Sequence, residues 1–172
     1  MENFHIEPAK ESDLSDILKI KAQAHEKYVQ NRPDLYKNSV VLYTPDFLKP
    51  FFENENRYIL IAKVDENIAG YIFVEMVSVE KPMMVARKYL YIHDLAVLED
   101  LRRYGIALEL LNYVENLANV SGINTIELAV HTFSEHAIKL YEKSGFKQRA
   151  IRMEKEVKKI ISIDHEKSGI NN

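Results

Sequence analysis

The chain has 172 residues, 47% apolar and 28% charged, in keeping with one soluble domain long enough to bury a core without covalent staples. Lys and Arg number 23 against 26 Asp and Glu, and the net charge of −3 argues against a domain built to coat nucleic acid. Cysteine is absent, which excludes disulfide scaffolds, thiolate zinc sites, iron–sulfur clusters and a cysteine nucleophile.

The start of the chain has no basic flank leading into an apolar run, and the longest apolar runs are strand-sized. The expectation is a cytoplasmic protein with no membrane span. Phe4–Glu7 alternates and reads as a strand closed by Pro8. Ser12 or Asp13 is placed to cap a helix with Leu14, Ile17, Leu18, the stem of Lys21, Ala24 and Tyr28 on its apolar face. Residues 34–56 read as irregular, with one short amphipathic piece over 46–54. Residues 58–64 and 68–79 form two β patterns joined by a turn at Asp65, Glu66 and Asn67, hence a hairpin. Residues 88–97 are a third strand. Gly105 opens the clearest helix, with Ala107, Leu110, Leu111, Val114, Leu117 and Ala118 at helical spacing, closed at Gly122. Residues 125–130 read as a strand, Thr132 and Glu135 as a capping box opening a helix that ends at Gly145, and 146–157 as a last strand. The pattern is a mixed α/β sheet.

The junction from strand 88–97 into the Gly105 helix carries the chemistry. Free N–H groups of a helix's first turn attract anions, and a glycine lets a ligand approach the backbone. Arg102 and Arg103 add cations suited to phosphate oxygens. A Walker loop and a three-glycine dinucleotide fingerprint are both absent.

Two motifs then give a specific resemblance. Residues 102–107, Arg-Arg-Tyr-Gly-Ile-Ala, fit the pattern [RQ]-x-x-G-x-[GA], and residues 137–146 fit A-x-x-L-Y-x-x-x-G-F. In this order and separation they resemble the GNAT superfamily of N-acetyltransferases, over residues 3–157. The resemblance implies an acyl-CoA N-acyltransferase fold, a mixed and mostly antiparallel sheet flanked by helices. It implies one domain over residues 1–160, leaving 161–172 as a polar tail. It implies acetyl-CoA as co-substrate and a primary amine as acceptor. Leu95, Ala96 and Val97 would line the pantetheine arm, and an N–H near Val97 would polarise the thioester carbonyl. Arg102, Arg103, Tyr104, Gly105, Ile106, Ala107 and Leu108 would cradle the pyrophosphate. Tyr141 would face the CoA sulfur. Ser134 stands where many relatives have a cofactor-contacting Asn.

With no cysteine for an acyl intermediate, direct transfer in a ternary complex is the simpler expectation. His93 is the candidate general base, and simple alternation sets it on one strand face with Tyr91, Leu95 and Val97. A β-bulge in this strand would promote Asp94 instead. Glu75 and Glu127 are weaker candidates. Tyr141 is the candidate general acid. His5, His25, His131, His136 and His165 show no metal spacing, so no metal is expected. Glu7, Glu11, Asp13 and Asp16 cluster near the expected acceptor side and hint at a cationic acceptor. A non-catalytic acyl-CoA-binding module of the same fold is the alternative, and pairing of the last strand leaves a homodimer open.

Overall fold

The computed structural model describes residues 4–157. Strands β1 (Phe4–Pro8), β2 (Arg57–Val64), β3 (Asn67–Val79), β4 (Arg87–Val97) and β5 (Ile126–Leu128) lie side by side in that order. The first three pairings are antiparallel, and β4 with β5 is parallel. Helices α1 (Leu14–Asn31) and α2 (Pro45–Glu53) cover one face. Helices α3 (Ile106–Val120) and α4 (Glu135–Lys143) cover the other. No helix among the described residues is long and apolar enough to cross a membrane.

Each face of the sheet has its own core. Leu60, Ile72, Val74, Leu90 and Ile92 meet Leu110, Leu111 and Val114 of α3. Ile59, Ile61, Tyr71 and Phe73 meet Ile17 and Ile20 of α1 and Leu48 and Phe51 of α2. The period-2 alternation of β2 and β3 therefore feeds two helical layers at once. Thr44 caps α2, its hydroxyl accepting the Phe47 N–H (3.3 Å), and Pro45 occupies the first helical position, where its missing N–H costs nothing.

Four local readings are corrected. Residues 146–157 form no strand. Ile151, Met153 and Val157 are 78, 89 and 82% exposed, and β5, only three residues long, offers little backbone row to pair with. The segment is tied down by side chains instead, Arg149 to Glu127 and Glu154 to Arg32 (2.7 Å). The strand expected over 125–130 shrinks to Ile126–Leu128 because its ladder with β4 has three pairs. The Thr132 capping box does not form: α4 begins at Glu135, after Ser134, with no side-chain cap. Asp13 precedes α1, but its carboxylate turns back to accept the Lys10 N–H (2.7 Å) and closes a short 3-10 turn over Glu11–Asp13. The tail at 161–172 lies outside the described residues.

Candidate active site

The site begins where β4 outruns its partner. The parallel ladder stops at Ile92 opposite Leu128, while β4 continues to Val97 along β3. A bulge sits at His93: Phe73 faces Asp94 and Val74 faces Ile92, so His93 is the extra residue. Before the bulge, Leu90 directs its N–H toward β5, bonding the Thr125 carbonyl (3.0 Å). After it, the Leu98 N–H bonds the Ala69 carbonyl of β3 (2.8 Å). Antiparallel alternation then assigns Ala96 and Asp94 to β3 and turns the backbone groups of Leu95 and Val97 outward, to the side β5 has left. Leu95 and Val97 pack their side chains on the α3 face, with Leu90 and Ile92. Ala96 is buried on the α1 face.

Simple alternation therefore fails at one residue. His93 lies on the face opposite Leu95 and Val97, beside Phe51 of α2 (ring centroids 5.7 Å). Its Nε2 is 2.6 Å from Glu75 Oε2, and Arg57 donates to the other Glu75 oxygen (2.9 Å). Burial pushes the Glu75 carboxyl up, but the bonds from His93 and Arg57 outweigh it and hold the group below its ordinary 4.5. A carboxylate only accepts, so Nε2 is the donor and Nδ1 is the ring nitrogen not engaged with Glu75.

Asp94, the neighbour of His93, is a hub. Its Oδ2 accepts from Lys21 Nζ (2.9 Å), from Tyr71 Oη (2.7 Å) and from Tyr43 Oη, and its Oδ1 accepts the Leu95 N–H (3.0 Å). The Lys21 and Asp94 side chains are only 17 and 13% exposed. Burial, then the charge of Asp94, pushes the Tyr43 and Tyr71 phenols far above their ordinary range, so both remain protonated donors. Lys21 also lies over the rings of Tyr43 (5.3 Å) and Tyr28 (5.7 Å). The sequence reading assigned only the stem of Lys21 to the core and passed over Tyr43 and Tyr71, because their common partner is distant in the chain.

Beyond β4, the loop closes on itself. Arg102 donates to Glu99 (2.7 Å) and to the outward Val97 carbonyl (3.3 Å), while Arg103 adopts φ +69° and remains exposed. Gly105 adopts φ +88° and precedes α3, whose first internal bond runs from the Glu109 N–H to the Gly105 carbonyl (3.0 Å). The N–H groups of Ile106, Ala107 and Leu108 are thus the free first turn. Gly70 of β3 lets this end come close: a Cβ there would lie 2.9 Å from the Ala96 carbonyl and 3.4 Å from an Ile106 methyl. Gly105→Ala would force a side chain into left-handed backbone. It is expected to lower stability by about 1 kcal/mol, read as a fall in the urea midpoint at unchanged slope.

Tyr141 of α4 is half-buried against Phe146 (ring centroids 5.6 Å). Burial first, then the charges of Tyr28 and Asp94, pushes its phenol above the ordinary tyrosine range. Ser134 makes no side-chain cap bond. His131, which carried no sequence signal, faces Tyr36 Oη across 2.6 Å and joins the segment after α1 to the segment after β5. Tyr28 packs edge-on against its ring and Phe133 stacks on it (ring centroids 4.9 Å). Of the clustered carboxylates, Glu7 pairs with Lys63 (2.6 Å), Asp16 pairs with Lys19 (2.7 Å), and Asp13 closes its own turn.

The two parallel strands thus part beside a glycine-led helix N-terminus. The acetyltransferase (GNAT) family model matches residues 21–146, well over half of the chain, and the chain belongs to that family. It is 37% identical over 62 residues to GCN5-related N-acetyltransferase 6, chloroplastic, of Arabidopsis thaliana, covering 36% of this chain and 22% of that one. It is 28% identical over 149 residues to an N-alpha-acetyltransferase of Sulfurisphaera tokodaii, covering 84 and 81%. A crystal structure of a variant of the BH1408 protein from Bacillus halodurans superposes with a TM-score of 0.85 at 25% identity, covering 89 and 99%. The chain thus spans less than a quarter of the plant relative's length and about four fifths of the Sulfurisphaera protein's.

Proposed function

We propose that the protein is an acetyl-CoA-dependent N-acetyltransferase that moves an acetyl group directly to a primary amine. The observation that carries this reading is the open β4 edge, where Leu95 and Val97 present backbone groups that lead to the free N–H groups of α3. An extended amide-bearing arm would pair with that edge as an added strand, and a pyrophosphate would sit at Gly105–Leu108, chiefly on backbone N–H groups. Arg102 is engaged within its own loop, so Arg103 is the cation left to face phosphate.

Acetyl-CoA supplies an activated thioester, and the residues do the rest. His93 Nδ1 accepts the proton of the attacking amine, directly or through water, while Glu75 holds the ring and stabilises the imidazolium. The Val97 N–H points to where the carbonyl oxygen would gain charge. Tyr141 returns a proton to the departing thiolate, and its raised pKa keeps it protonated until then.

Purified protein with acetyl-CoA and a panel of primary amines should release CoA thiol, read against no cysteine background. The panel includes peptide α-amines, because the Sulfurisphaera relative is named an N-alpha-acetyltransferase. Release no faster than hydrolysis with every amine would overturn the proposal. Tyr141→Phe is expected to lower kcat about 10²-fold with CoA affinity retained, measured by steady-state kinetics beside calorimetric titration of CoA.

A further inference from the structure

One row of residues crosses strands β2 to β5 beside the proposed base. Arg57 faces Glu75, Glu75 faces Tyr91, and Tyr91 faces Glu127. Leu90, Ile92, Ile126 and Leu128 belong to the α3 core, so Tyr91 and Glu127 stand on the opposite face, with His93. The Tyr91 and His93 rings meet edge-on (centroids 4.9 Å). Phe51 of α2 bounds this platform, at Arg57 (5.4 Å) and at His93 (5.7 Å).

The two ends of the row differ in charge. Glu75 is matched by one arginine, Arg57 (2.9 Å). Glu127 is met by two, because Arg87 (2.5 Å) and Arg149 both donate to its Oε1. One carboxylate cannot neutralise two guanidiniums, so a positive charge is left over at the β5 end. Glu127 and Arg87 are largely covered, but the Arg149 side chain is 61% exposed. A guanidinium is a fork of several N–H donors. Arg87 spreads its fork over the Tyr89 ring (4.4 Å), whereas Arg149 has donors to spare among the described residues. Glu154, further along the same segment, is turned to Arg32 instead (2.7 Å). From His93, Glu127 is two residues back along β4 and one strand across, a span of roughly 8 Å.

We infer that this platform binds the acceptor and selects a primary amine that carries a carboxylate several bonds away. The amine lies at His93, beside Glu75, and the carboxylate takes the spare donors of Arg149. This inference rests on the acetyl-transfer reading and names the acceptor class of that same site.

Two probes of equal length test it, 5-aminopentanoate and 5-aminopentanamide, which differ in the charge at the far end. The acid is expected to have a kcat/KM about tenfold above that of the amide, and added salt should shrink the ratio. Arg149→Gln should bring the acid-to-amide ratio close to unity, and thermal unfolding checks that this exposed substitution leaves the fold intact. Lys155→Gln removes another exposed charge of the same segment and should keep the wild-type ratio. A wild-type ratio near unity, acetylation of the amide alone, or an undiminished ratio in Arg149→Gln would overturn the inference. Calorimetry of each probe on CoA-loaded protein reads the preference without turnover, and the acid should bind about tenfold more tightly. Equal turnover of the two probes sinks the inference and leaves the transfer reading standing. A protein that acetylates no amine sinks the transfer reading, and equal binding of the two probes then sinks the acceptor preference as well.

Discussion

His93→Ala is expected to lower kcat by about 10²–10⁴-fold, with the KM for acetyl-CoA little changed. The argument is geometric. His93 is the bulged residue of β4, so its ring leaves the regular rows and stands against Phe51, Tyr91 and Glu75. Glu75, anionic through its bonds to Arg57 and His93, fixes which ring nitrogen carries the proton. Steady-state kinetics beside calorimetric titration of CoA separate the expected loss of turnover from any loss of binding. A variant with wild-type kcat at every pH would remove His93 from the mechanism.

Asp94→Ala on its own is the substitution expected to cost most in stability. It strips the partner from a lysine whose side chain is 17% exposed, and it leaves the Tyr43 and Tyr71 hydroxyls without their acceptor. Removing one member of a buried ion pair costs about 3–5 kcal/mol. For a chain of this size that lowers Tm by roughly 6–20 °C. Thermal and urea unfolding measure it, and adding Lys21→Met should recover part of the loss, since the stranded charge is then removed too. A Tm within about 2 °C of wild type would contradict the burial argument.

Patterns with short reach were legible in the sequence. The helical spacing from Ala107 to Ala118, the hairpin at Asp65 and Glu66, and the two motifs at 102–107 and 137–146 all lie where the chain order places them. Family membership follows from those motifs, and the family match ends on the last residue of the second. Features that depend on distant partners were hidden. No residue type from Tyr89 to Val97 marks His93 as the extra one: no glycine or proline stands there, and the family resemblance offered a bulge in this strand without fixing its position. Lys21 looked like a stem in a helix because its ion partner is 73 residues away. His131 looked idle because Tyr36 is 95 residues away. The last strand failed for the converse reason. Its apolar residues alternate, but a strand exists only where another backbone receives it.

The bulge also decides which kinds of change this site can survive. β4 carries one residue more than the strand facing it, so its two halves run in opposite phase. Substitutions alter what the side chains are and leave that phase alone. Deleting one residue of the bulge would restore a regular ladder with Leu90, Ile92, Leu95 and Val97 still on the α3 face, and would leave a single position where His93 and Asp94 now stand. The site is inherited as a length: the extra residue is what lets an imidazole and a carboxylate stand next to each other on the same face of the sheet.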